Sequence, residues 1–95
     1  MPEINFKIEW PDGTQQQCYS PSLVVKEYFT PGLEYKLTEF VEKSRMALNI
    51  ASDRVQKAYG FPCSRALGQL KQIEAKAATY QQLANPTVLF LEFVE

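Results

Sequence analysis

Cys63 is the residue whose type and setting most invite chemistry. It stands in Phe61–Pro62–Cys63–Ser64–Arg65, where Pro62 or Ser64 opens a predicted helix. Helix N-terminal N–H groups and a neighbouring guanidinium both favour a thiolate over a thiol. A thiol so placed is a nucleophile, a redox sensor or an acyl acceptor. Against this stands the common fate of cysteine, which is to pack as a small buried hydrophobe. The chain has no histidine, so no Ser/His or Cys/His pair exists to take a proton, and a thiol enzyme is disfavoured. The other cysteine, Cys18, is expected near the end of a strand. It serves as a resolving partner only if the last helix starts beside that strand. Two thiols without CxxC spacing do not build a structural zinc site, and the expectation is no metal and no cofactor. Tyr19, Tyr59, Ser64 and Arg65 flank the two cysteines and complete the candidate surface.

Four other patterns bear on chemistry. Between residues 52 and 76, Arg54, Lys57, Arg65, Lys71 and Lys76 outnumber Asp53 and Glu74. The helix–Gly60–helix layout there is that of a weak helix-turn-helix. Pro62 and Cys63 fill its turn, however, and few cations fall on the would-be recognition helix, so the run reads more simply as a solvated face. Glu39 and Glu42 look like partners of a helix dipole rather than an acid/base pair. No glycine lies in a phosphate-binding frame. The aromatics Tyr19, Tyr28, Phe29 and Tyr35 suit core anchoring or a protein interface.

These residues need elements to position them. Ile4, Phe6, Ile8 and Trp10 alternate with polar residues, which predicts a half-buried strand. Pro11–Asp12–Gly13 turns the chain into a second strand over residues 14–19, whose Gln15–Gln16–Gln17 run suits a sheet edge. Ser20 is the expected N-cap of a short helix ending before Thr30. Thr38 is the expected N-cap of the next. Leu37, Phe40, Val41, Ser44, Leu48, Ala51, Val55, Ala58 and Tyr59 form a helical stripe. With Asn49 and Ser52 taken as interruptions, the stripe is divided into helices 38–48 and 52–59, closed by Gly60. A last helix runs to about Leu83, before Asn85–Pro86. The tail TVLFLEFV predicts a strand with Leu89, Leu91 and Phe93 on one face and Val88, Phe90 and Val94 on the other. The expected fold is α+β: an N-terminal β-hairpin and the C-terminal strand in a three-stranded sheet, packed on one face by three or four helices. A strand apolar on both faces leaves a homodimer through the uncovered sheet face open.

The chain has 95 residues, 45% hydrophobic, with ten Lys+Arg against eleven Asp+Glu. This fits one small domain with its own core. A net charge of −1 argues against a general nucleic-acid binder. Met1–Pro2–Glu3 lacks a basic leader, and the longest apolar run, Val88 to Leu91, is far short of a membrane span. The expected setting is the cytoplasm, with reduced thiols.

Several stretches carry a resemblance. MPEINFKIEWPDG, CYSPSLVVKEYF with the PG that follows it, SRMALNIASDRVQKAYGFPCSRALGQLKQIE and the short β tail together cover nearly the whole chain. They are similar to the small bacterial nitrogen starvation response family, encoded beside a nitrilase in a conserved gene cluster. The resemblance implies a setting rather than a reaction. It puts Cys18, Tyr19, Ser20, Pro21 and Ser22 in one signature segment, and Tyr59, Gly60, Phe61, Cys63 and Ser64 in another. It implies as partners enzymes of that cluster, the nitrilase, a radical SAM protein and a flavoprotein; the cluster also supplies an acetyltransferase-like protein. The resulting expectation is a small non-catalytic accessory or interaction protein. The alternatives are a thiol carrier or redox protein using Cys63, and a helix-turn-helix-like regulator using residues 52–76.

Overall fold

Alternation sets the first strand. In the computed structural model, which describes residues 3–95, β1 (Ile4–Glu9) buries Ile4, Phe6 and Ile8 and leaves Asn5, Lys7 and Glu9 half-exposed. The Asp12–Gly13 turn returns it as β2 (Gln15–Ser20), antiparallel, with Phe6 opposite Cys18. The Trp10 indole N–H donates to Gln16 Oε1 at 2.8 Å, so the buried ring keeps a partner for its polar atom. A five-residue 3-10 helix (Leu23–Glu27) follows. Its N-cap is Ser22, whose side chain accepts from the Val24 N–H, and not the expected Ser20.

The sheet has four strands, in the order β2-β1-β4-β3, rather than the expected three. The added strand is β3 (Glu34–Lys36), antiparallel to β4 (Thr87–Val94) with Tyr35 opposite Val88. Three residues hold one inward side chain, too few to display a period of two. Tertiary pairing defines this strand: Gly32 N–H donates to Phe90 O at 2.7 Å, and Phe90 N–H to Leu33 O at 2.9 Å.

A register shift beside Lys7 and Ile8 corrects the expected faces of β4. Phe93 pairs with Phe6 and Phe90 with Ile8, so Leu91 is the extra residue of a bulge. The bulge turns Phe93 to the same side as Phe90, and their ring centroids lie 4.9 Å apart. Phe93 therefore joins the core cluster instead of facing out with Leu89 and Leu91.

Helix α1 (Leu37–Tyr59) is continuous, where two helices were expected. The buried positions Leu37, Phe40, Ser44, Ala47, Leu48, Ala51 and Ser52 keep one phase through the proposed break. Asn and Ser inside a helix cost only about 0.5 kcal/mol each. That is small against burying a side chain such as Leu48, worth about 1.5–3 kcal/mol. The helix also starts one residue before Thr38. Leu37 N–H donates to Pro86 O at 3.0 Å, so a tertiary carbonyl does the work of the missing side-chain cap.

Gly60, with φ +89° and its N–H bonded to Gln56 O, ends α1 as expected. Helix α2 (Ser64–Ala78) then buries Ala66, Leu70, Ile73 and Ala77. It stops short of Leu83. The chain tightens into turns, Tyr80 N–H to Ala77 O and Leu83 N–H to Tyr80 O, and these stack the Tyr80 ring on Trp10 with centroids 5.7 Å apart. The described residues thus form three helices, two α and one 3-10, within the expected three or four. Arg45 pairs with Glu74 at 2.8 Å, and Ser52 lies beside Cys63, so α1 and α2 run antiparallel. A helix of α1's length spans about 35 Å against about 20 Å for a six-residue strand. Its last turns, beyond Ser52, carry no fully buried residue. No helix among the described residues is long and apolar enough to cross a membrane.

Candidate functional site

The candidate residues gather where the end of β2 meets the α1–α2 turn. Ser20 and Ser22 are both buried, and the Ser20 hydroxyl closes a tight local turn: Ser20 Oγ donates to Ser22 O at 2.7 Å, and Ser22 N–H donates to Ser20 Oγ at 3.3 Å. Ser22 Oγ also accepts from Arg54 Nη1 at 3.1 Å, which ties the β2 exit to α1. Ser52, expected to cap a second helix, sits mid-helix and accepts the Cys63 N–H at 3.2 Å. It thereby pins the turn to α1.

Tyr19 is held from three sides. As an edge-strand residue its N–H points out of the sheet, and it donates to Gln69 Oε1 of α2 at 3.1 Å. Its hydroxyl donates to Glu3 at 3.0 Å. The Arg65 guanidinium carbon lies 3.8 Å from its ring centroid, a stacked cation–π contact. Burial, followed by the Glu3 hydrogen bond, pushes the Tyr19 phenol up to about 12.

The two cysteines occupy different environments. Both are free thiols. Cys18 is 1% exposed and faces the core beside Phe6, and burial pushes its thiol up to about 12. Cys63 is half-buried at the N-cap of α2, and its side chain makes no capping hydrogen bond. Arg65, expected to face a Cys63 thiolate, stacks on Tyr19. Ser64 begins α2 and is exposed. Tyr59 and Phe61 are 58% and 64% exposed at the apex.

The remaining candidates lie elsewhere. Glu39 is in the first turn of α1, where a carboxylate suits the helix dipole, and Glu42 is exposed one turn on. No group of residues able to hold a metal ion occurs among the described residues. The basic segment lies on an antiparallel hairpin, whereas a helix-turn-helix crosses at about 90–120°. Sequence reasoning missed the joining roles of Ser52 and Arg54, read there as a helix interruption and a surface cation, and did not single out Gln69. Ser52 at a core position of the stripe was the one available signal. It also missed a cleft of about 430 Å³ between the start of α1 and the end of α2, lined by Leu37, Val41, Arg45, Glu74 and Gln81 among others.

A family model described as nitrogen starvation-induced protein NitG matches residues 5–93. The chain belongs to this family. Among curated proteins and solved structures, none matches it. The NitG match spans both segments singled out by the resemblance, Cys18–Ser22 and Tyr59–Ser64. In the fold of this NitG family member the first segment is tied to residues flanking the second, Tyr19 to Arg65 and Ser22 to Arg54, while Cys63 of the second is held by Ser52 of α1.

Proposed function

We propose that the chain is a small accessory protein of the nitrogen starvation response, acting by binding other proteins and not by turning over a substrate. The observation that carries this reading is how the signature residues Tyr19, Ser22 and Cys63 and the residues they bond are used. Ser22, Ser52, Arg54, Arg65 and Tyr19 bond to one another's elements and brace a hairpin apex that presents Tyr59 and Phe61 to solvent. Exposed aromatics on a braced support suit recognition of a protein surface. The proposed partners are the nitrilase, the radical SAM protein and the flavoprotein of the associated gene cluster.

A second reading rests on Cys63, which is half-buried while Cys18 is closed off in the core. In it the Cys63 thiolate attacks a disulfide of its partner, forming a mixed disulfide and releasing the partner's other sulfur as a thiolate. One experiment separates the two. Tagged wild type and Cys63→Ser are used to capture partners from nitrogen-starved native cells, with and without reductant. Recovery of a cluster enzyme by both proteins, insensitive to reductant, supports the accessory reading. Loss of the partner with Cys63→Ser or on reduction moves the function to the thiol. Turnover of a nitrile or amide by the pure chain would sink both.

A further inference from the structure

Charge is unevenly spread along this molecule. From Arg54 to Ile73 every ionisable side chain other than Tyr59 and Cys63 is cationic: Arg54, Lys57, Arg65 and Lys71. The chain as a whole stands at −1, so the remainder is acidic. The antiparallel course of α1 and α2 folds this stretch back on itself, which brings Arg54, Lys57 and Arg65 to the turn end of the hairpin with Asp53 among them, and sets Lys71 two turns further along α2. The apex between them is apolar and open. Phe61 is 64% exposed, Pro62 is exposed beside it, and Tyr59 is 58% exposed.

We propose that this hairpin end, residues 54–71, is a docking site for an acidic protein segment carrying an apolar side chain. The inference rests on the accessory reading above and names the surface and chemistry it would use. Charge complementarity selects an acidic occupant. The exposed Phe61 at the turn calls for an apolar group, which a peptide side chain supplies and the phosphate backbone of a duplex does not, and a chain of net charge −1 lacks the overall charge of a general nucleic-acid binder. Tyr, Phe and Arg are also residues that dominate protein interfaces when desolvated. Ser52 and Ser22 hold the turn and Arg54 in place before binding, which lowers the ordering cost of association.

The test is selection from a phage-displayed random twelve-residue peptide library on the full chain, with a Lys57→Glu/Lys71→Glu variant as counter-target. Enriched peptides are expected to combine Asp or Glu with an aromatic or aliphatic residue. Their binding, read by fluorescence anisotropy, is expected to weaken at least about tenfold with Phe61→Ser and to stay unchanged with Leu83→Ser, an exposed apolar residue outside the hairpin. Circular dichroism checks that each variant is folded. The proposal is overturned by peptides without acidic residues, by no enrichment over the counter-target, or by equal binding to the Phe61→Ser variant. Tighter binding of a DNA duplex or of phosphatidylserine vesicles than of any selected peptide overturns it too, as does concentration-dependent self-association abolished by Phe61→Ser. If cells yield a partner that Phe61→Ser and the charge variant still capture, the docking site falls while the accessory role stands.

Discussion

The Arg65 guanidinium stacks 3.8 Å from the Tyr19 ring centroid, so a side chain from the first turn of α2 reaches around the sheet edge to the solvent side of β2. With Gln69 taking the Tyr19 N–H, this contact couples the two segments that carry the family resemblance. A double-mutant cycle on Arg65→Ala and Tyr19→Leu, followed by urea unfolding, is expected to give a coupling of about 0.5–1 kcal/mol. Additive single effects would mean that the stacked pair contributes nothing.

The thiols should differ sharply in reactivity. Cys63 is expected to react with a thiol reagent in the folded protein at pH 8, and Cys18 only as the protein opens. Mass spectrometry of the labelled peptides distinguishes them. Burial raises Cys18 from 9.0 to about 12, so the fold favours the neutral thiol. That stabilisation is complete below pH 9 and is lost as the pH rises towards 12. Cys18→Ala should flatten this part of the alkaline stability profile. An unchanged profile would count against the assignment.

Ser44 and Ser52 make a matched pair on one helix. Both are buried, but Ser44 Oγ has no hydrogen-bond partner while Ser52 Oγ accepts the Cys63 N–H. Ser44→Ala is therefore expected to be neutral or stabilising by up to about 1 kcal/mol, and Ser52→Ala destabilising by about 1–2 kcal/mol. Chemical denaturation of the two variants checks the sign, and equal destabilisation would refute the contrast.

At the hairpin turn, the Thr14 hydroxyl and N–H, at 2.7 and 3.0 Å, hold Asp12 down at about 2 from 3.8. A depressed carboxylate stabilises the fold above its unfolded value and loses that contribution as the pH falls from about 4 towards 2. Asp12→Asn should reduce the slope of stability against pH in that window. If wild type and variant lose stability in parallel, the turn contributes no acid sensitivity.

The sequence revealed most where the signal was periodic. The β1–β2 hairpin, the edge position of the glutamines and the stripe of α1 were all legible from spacing. The division of α1 was misread because Asn49 and Ser52 look like boundaries, yet the buried phase continues beneath them. The bulge at Leu91 was hidden because an apolar residue in an apolar run leaves no mark when the register slips. The site was legible as two segments and not as one surface. Its joining contacts run from Tyr19 to Gln69 and from Ser22 to Arg54, and no local period reports bonds across such separations.

The overhang of α1 past the sheet separates two demands on one short chain. The aromatic core of Phe6, Phe29, Phe40 and Phe90 assembles near the sheet, while the hairpin end holds few residues that the core requires. Amides near Gly60 should exchange with solvent through small local openings, and those under Phe6 only through global unfolding. Substitutions at Lys57, Phe61 or Lys71 can then accumulate with little penalty to folding. Such a molecule is free to change what it recognises over evolutionary time while keeping the fold that presents it.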